Sequence, residues 1–358
     1  MAQREDRRGN RNGREGGRGQ GNARRDGRAK EAADHIAETE KRFAKEIEAS
    51  AAAVRFYDGI PAPAPAPDEA SAPVAESVAA AEEDAAAPEA GDAPAPVELE
   101  TAAPAEPAAA PAPVVSVVDE DSVAAILARG RGRAQFCDLA VLDFASFTSP
   151  GGGYDRGAWA QEEALCAESF LFSVLNRQKA WYAENRRRNL NCNLYRNRGL
   201  VVPKVRFARD RIHAYADVIV VAAPNLRFAK NDYDISDDAL DAAMRDRIKL
   251  VMAIADDLGH EKLILGAFGC GAFGWDASRV APMFVEELAS GGHVAREVVF
   301  AIPKNRFSQN HERFAHAFST FPQVNEVSFE DAQKAAAAAA AVVEEADEDD
   351  EDWRKYLG

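Results

Sequence analysis

The chain has 358 residues, enough for one or two ordinary domains, and a formal net charge of -16 from 43 Lys and Arg against 59 Asp and Glu. The acidity is concentrated in low-complexity segments, so it speaks for solubility and says little about a ligand. No apolar run approaches the ~18 residues of a membrane span, and the N-terminus lacks the apolar region of a secretory leader. The cysteines Cys137, Cys166, Cys192 and Cys270 form no C-x-x-C pair and no Cys/His metal spacing. The expectation is a cytoplasmic protein with reduced thiols, no membrane partner, no bound metal and no cofactor.

In chain order, residues 1–29 form a basic Arg/Gly-rich tail (Arg4, Arg7, Arg8, Arg11, Arg14, Arg18, Arg24, Arg25, Arg28) that reads as disordered. Such a tail suits nucleic acid or another polyanion; the plainer alternative is a solubilising segment that touches the acidic C-terminus. Residues 30–58 read as an amphipathic helix packing on the folded domain that follows the linker. Ile36, Phe43, Ile47 and Val54 recur at helical spacing, and Gly59 ends the run. Residues 59–113 are an Ala/Pro/acidic linker and residues 329–358 an alanine run followed by EEADEDDED. Neither can bury enough apolar surface to form a core.

Residues 114–328 are left as one α/β domain. CDLAVLDFAS (137–146) reads as a strand and AQEEALCAESFLFSVL (160–175) as a helix. ADVIVVAAPN (216–225) is apolar almost throughout, as a strand covered on both faces should be. The next helix carries Leu240, Met244, Ile248, Val251, Ala255 and Leu258 on one face, with Ser236 to cap it and Gly259 to end it. KLILGAF (262–268) is a buried strand, DASRVAPMFVEELA a helix, and REVVFAI (296–302) another strand. Alternating strands and helices predict a mostly parallel sheet between helical layers. Ligands of such sheets bind in the loops beyond the carboxyl ends of the strands.

Two glycine-rich loops fall at such ends. In the first, Gly151, Gly152 and Gly153 follow a strand, and seven residues later Gln161, Glu162 and Glu163 open a helix. Glycine lets the backbone turn sharply and approach a ligand closely. Neighbouring helical residues point about 100° apart, so one carboxylate can reach a reacting atom while the other holds a hydroxyl. Adjacent glutamates cannot form the facing glycosidase pair that stands ~5 Å or more apart, so one of them must serve as both acid and base. Alone, QEE reads equally as a solvated helix start favoured by the helix dipole, and GGG as a simple turn.

The second loop, GAFGCGAFG, contains Gly269, Gly271 and Gly274 in G-x-G-x-x-G spacing before a helix. A nicotinamide fingerprint would need an acidic residue ending the next strand, but that strand runs into Pro303 and Lys304. Its physics is still that of a diphosphate cradle. Cys270 in it reads as a small buried thiol rather than a redox centre. The histidines His213, His260 and His293 are scattered and read as structural.

GGG, a seven-residue spacer and QEE, within VLDFASFTSPGGGYDRGAWAQEEALC, resemble the signature of the poly(ADP-ribose) glycohydrolases of compact microbial type. GCGAFG, APNL and HIAETEKRF extend the likeness. The resemblance implies a macrodomain, a three-layer α/β/α sandwich with a mostly parallel mixed sheet. It also implies hydrolysis of the ribose O-glycosidic bond in poly(ADP-ribose) or a related ADP-ribosylated substrate. By position it makes Glu163 the acid/base and Glu162 the holder of ribose hydroxyls. Gly151, Gly152, Gly153, Gln161, Asp143 and Ser146 would bind substrate. Gly269, Cys270, Gly271, Ala272, Phe273 and Gly274 would form the diphosphate loop, with Phe273 against the distal ribose. The implied partner is ADP-ribose polymer or ADP-ribosylated protein; the alternative function is a reader macrodomain that binds ADP-ribose without cutting it. Members commonly carry asparagine where this chain has Asp143 and Ser149, and a smaller residue where it has Trp275, which is expected to narrow the site.

Overall fold

The computed structural model describes residues 15–62 and 112–340. The arginines before residue 15, the linker over 63–111 and the acidic run over 341–358 lie outside the described residues. Helices α1 (Glu15–Arg42) and α2 (Ala44–Ala52) lead to strand β1 (Arg55–Asp58). Then follow β2 (Val114–Val118), α3 (Ser122–Arg129), β3 (Leu139–Phe144), α4 (Gln161–Ala167), α5 (Leu171–Leu175) and α6 (Lys179–Arg188). A hairpin of β4 (Arg198–Arg209) and β5 (Ile212–Val221) comes next, then α7 (Leu226–Asp232), α8 (Asp237–Leu258) and β6 (Lys262–Leu265). Helix α9 (Ala277–Ala289), β7 (Glu297–Ala301) and α10 (Asn310–Ala317) follow.

The strands form one seven-stranded sheet in the order β1-β4-β5-β3-β6-β7-β2. The pairs β5/β3, β3/β6, β6/β7 and β7/β2 are parallel, while β4 is antiparallel to both its neighbours. Alternate strand residues face opposite sides, as the pleat requires. Ala140, Leu142, Ile219, Leu263 and Val298 join a core with α8, α9 and α10. Leu139, Val141, Val218, Ile264 and Val299 join another with α2, α3 and α5. The result is the three-layer α/β/α sandwich with a mostly parallel mixed sheet.

Several elements differ from the sequence reading. The N-terminal helix starts at Glu15, inside the stretch read as tail, and its axis breaks at Phe43. The segment read as helix to residue 58 instead ends in β1, which pairs Arg55 with Val201 and Asp58 with Arg198. An open sheet edge outcompetes the local helical pattern there. Gly59 (φ 115) therefore follows a strand rather than a helix. The helix expected over 160–175 is divided, because Ser169 bridges to Phe207 of β4. Residues 329–340, read as part of a tail, are helical. Helix α8 is capped as expected: the Ser236 side chain accepts from Ala239 N, and Gly259 takes the left-handed conformation.

Candidate active site

Strands β3 and β6 are hydrogen-bonded neighbours, with Ala140 opposite Leu263. Their carboxyl ends therefore release the two glycine loops side by side. Gly151 (φ 61) and Gly152 (φ 62) fold the first loop back onto the start of α4. A Cβ on Gly152 would stand 2.4 Å from Glu163 Oε1 and 2.8 Å from Glu162 Oε2, so only glycine admits both carboxylates.

Each acidic side chain has its own place. Gly153 N–H donates to Glu163 Oε1 (2.9 Å), and Ser146 N–H donates to Glu162 Oε2 (2.7 Å). Both glutamates are buried although they open a helix. The reading of QEE as a solvated helix start therefore does not hold. Asp143, at the end of β3, is wholly buried and neither of its carboxylate oxygens has a hydrogen-bond partner; Glu162 Oε1 has none either. Burial, then the charge of Glu163, holds the Asp143 carboxyl well above the usual range. Burial, then Asp143, does the same to Glu162, against the pull of the Ser146 N–H. Buried groups left without partners are costly and mark places where a fold serves chemistry.

Gln161 clamps the strand end. Its Oε1 accepts from Phe144 N (2.9 Å), and its Nε2 donates to Leu142 O (2.9 Å) and Ser122 Oγ (3.2 Å). Ser146 Oγ accepts from Ser149 N (3.2 Å), which shapes the approach to the glycines.

A cavity of about 440 Å³, within the usual range for ligand sites, opens between the second glycine loop and the starts of α3 and α4, and Ser146 and Gly151 to Gly153 do not line it. Phe144, Trp159 and Gln161 line one side, and Gly269, Gly271, Ala272 and Phe273 the other. Its wall carries the immediate neighbours of Asp143 and Glu162 rather than the carboxylates themselves. Among the described residues, the N–H groups of Gly271, Ala272 and Phe273 make no hydrogen bond within the protein. They are thus available to an anion, as a nest of N–H groups would be. Cys270 turns away, with its Sγ near Phe268 O (3.6 Å) and its thiol pushed up to about 12 by burial. Gly274 (φ 84) closes the turn through its N–H to Gly271 O. Trp275 does not narrow the site: it is buried, and its Nε1 donates to Pro224 O (2.8 Å). It supports Gly269 from beneath, where a Cβ would meet Trp275 at 2.9 Å.

Sequence reasoning missed Tyr195 and Arg247. Tyr195 stacks on Phe147 (centroids 4.5 Å apart) and meets Phe273 edge-on at 6.3 Å, joining the flanks of both loops. Its left-handed backbone (φ 61), rare outside glycine, was not marked by any turn residue pattern. Arg247 is fully buried and donates to the carbonyls of Ala222, Leu194 (3.3 Å) and Tyr195 (3.1 Å), with its pKa lowered to about 10 by burial. It ties the loop that carries Tyr195 to the end of β5.

A three-layer α/β/α sandwich with glycine loops on adjacent parallel strands, one of them packed on buried glutamates, is a macrodomain-like architecture. The family described as microbial-type PARG, catalytic domain, matches residues 30–210, and the chain belongs to that family of poly(ADP-ribose) glycohydrolases. It is accordingly a glycosidase.

Solved structures agree. The poly(ADP-ribose) glycohydrolase of Thermomonospora curvata is 25% identical, with a TM-score of 0.59 over 81% of this chain and 98% of its own. That of Deinococcus radiodurans, solved in complex with ADP-ribose, is 28% identical, with a TM-score of 0.51 over 58% of this chain and 85% of its own. No curated protein matches. No helix among the described residues is long and apolar enough to cross a membrane.

Proposed function

We propose that this protein hydrolyses the ribose O-glycosidic bond of poly(ADP-ribose), with Glu163 as the single acid/base. The observation that carries the reading is the placement of Glu163 Oε1 on Gly153 N, inside the glycine loop and beside two further buried carboxyls. Protonated Glu163 gives its proton to the departing ribose oxygen as the anomeric carbon takes on oxocarbenium character. The resulting carboxylate then accepts a proton from the water that attacks that carbon, leaving free ADP-ribose and a shortened chain. Glu162, fixed by Ser146 N, holds ribose hydroxyls with Asp143 buried beside it, and Gln161 sets the end of β3 on which both depend. The N–H groups of Gly271, Ala272 and Phe273 hold the diphosphate, whose charge stabilises the transition state. Phe273 packs on the distal ribose.

Residues 30–58 and 114–328 together make the catalytic unit in this reading; the family match begins at residue 30, which supports including the N-terminal helix. The compartment is cytoplasmic, and the basic tail is a second contact for polymer or nucleic acid. Labelled polymer incubated with the unaltered protein and with Glu163→Gln is the test. The expected outcome is release of ADP-ribose by the former and a rate lower by about 10²–10⁴-fold in the latter. No release by the unaltered protein overturns the hydrolase reading. One observation favours a second reading, a non-cutting ADP-ribose reader: the cavity wall bears Phe144 and Gln161 rather than the glutamates. Calorimetry showing tight ADP-ribose binding without turnover would select it.

A further inference from the structure

Away from the glycine loops, three metal-ligand side chain types meet at the opposite end of the sheet. Cys137 lies two residues before β3 and His260 two residues before β6. These strands pair in parallel with Leu139 opposite Lys262, so the register brings Cys137 and His260 level. Asp217 comes from β5 on the other side of β3, opposite Ala140. One ligand atom from each residue lies within 4.8 Å of the other two.

Asp217 is held firmly at the centre. Its Oδ1 accepts from Lys204 N (2.8 Å) and stands 3.5 Å from Cys137 Sγ, while its Oδ2 is 3.0 Å from His260 Nε2. The Lys204 N–H points there because β4 is irregular between Val202 and Val205, with Lys204 at φ 54. A tetrahedral zinc ion bonds sulfur at about 2.3 Å and nitrogen or oxygen at about 2.0–2.1 Å. Its S···O edge is then about 3.5 Å and its N···O edge about 3.3 Å. The observed separations, 3.5 Å to Oδ1 and 3.0 Å to Oδ2, approach these edges at different oxygens of the carboxylate, so binding an ion requires Asp217 to turn one oxygen toward both partners.

The charges also fit. A thiolate and a carboxylate balance a divalent ion, and a neutral imidazole completes a set whose softness suits zinc. Two of the cations at this end of the sheet, Arg131 and Lys262, are engaged by Asp138 at 3.0 Å each. The His260 and Asp217 side chains keep 16% and 12% exposure, enough to give an ion entry and to place water in the fourth position.

We propose that Cys137, Asp217 and His260 form a zinc site at the amino end of the sheet, with water as fourth ligand. On binding, the Cys137 thiol releases its proton to solvent, and bonds to the ion replace the His260–Asp217 contact. The ion staples β3, β5 and β6. Two of those strands carry the glycine loops at their far ends, so the site acts on the rigidity of the scaffold and takes no part in the reaction.

The test uses the full chain, stripped with chelator and titrated with Co²⁺. The expected result is a near-ultraviolet thiolate-to-cobalt absorption band that saturates at one equivalent and disappears on adding Zn²⁺. Cys137→Ser should abolish the band and weaken Zn²⁺ binding by at least about 100-fold. Cys192→Ser, which removes the exposed thiol, should leave the band intact. Zn²⁺ should raise the thermal midpoint of the unaltered protein. His260→Gln, tested for the same loss, serves if Cys137→Ser does not fold. A folded, unaltered protein with no band at stoichiometric Co²⁺, or a band that survives Cys137→Ser, overturns the proposal and leaves Asp217 as a hydrogen-bond hub only.

Discussion

At Gly152 the site tolerates no added atom. The backbone is left-handed, and the space a methyl would fill belongs to the carboxylates of Glu162 and Glu163. Gly152→Ala should cost about 1–2 kcal/mol from backbone strain alone. Because it also displaces Glu163, the proposed acid/base, polymer hydrolysis should fall by about 10²-fold or more while the circular dichroism spectrum persists. Activity within twofold of the unaltered protein would separate Glu163 from catalysis.

Asp143 supports a second prediction. Burial and neighbouring carboxyls raise the folded-state pKa of Asp143 and Glu162 above their unfolded values near about 4. Between those limits the folded protein binds more protons than the unfolded chain. The stabilisation tied to these protons is complete below about pH 4 and is lost as pH rises toward the raised values. Asp143→Asn keeps the shape and removes one titration. Its urea-unfolding stability should therefore fall less between about pH 5 and about pH 8 than that of the unaltered protein; equal slopes would show that Asp143 is not held protonated. The contiguous signature made Glu162, Glu163 and the glycines legible in the sequence. Cys137, Asp217 and His260 were not, because only strand register brings them together.

Among the elements, α1 holds the first glycine loop from outside the sheet. Arg25 Nε donates to Arg156 O and Arg28 Nε to Gly157 O, both at 2.9 Å, and Tyr154 OH meets His35 Nδ1 at 2.8 Å. These bonds hold the turn that leads from Gly153 to α4. Removing residues 1–29 should raise amide exchange of that turn about tenfold or more, equivalent to ~1.4 kcal/mol of local stability. It should also slow turnover while leaving ADP-ribose affinity nearly unchanged. Unaltered exchange would reduce α1 to a passive surface helix.

The capping chemistry of Ser236 and Gly259 made α8 readable to its ends, since both act on the backbone beside them. The β4–β5 hairpin was not readable. Its two-residue turn, Asp210 and Arg211 at φ 49 and 70, uses the primed-turn geometry usually announced by Asn-Gly or Asp-Gly. Pro203 inside β4 further disguised the strand.

For the whole molecule, β3, β5, β6 and β7 were legible as apolar runs between patterned helices or turns, whereas β2, the parallel edge strand beside β7, was not read from the sequence. The antiparallel edge was hidden, because β1 and β4 are distant in sequence and β1 has only four residues. That edge makes the N-terminal segment part of the core. Ile47 of α2 and Ala32 of α1 are buried against one face of the sheet, and Tyr57 of β1 against the other. An isoleucine fully removed from water contributes about 1.5–3 kcal/mol, and the total stability of a domain is only about 5–15 kcal/mol. Fragments 1–85 and 86–358 should therefore copurify when expressed together, unfold in a single transition and retain hydrolysis. The larger fragment alone should aggregate or melt well below the complex, since it leaves a sheet edge unpaired and two apolar faces uncovered. A fragment 86–358 that is monomeric and as heat-stable as the full chain would instead make the N-terminal segment an accessory, with the catalytic unit confined to the residues after the linker.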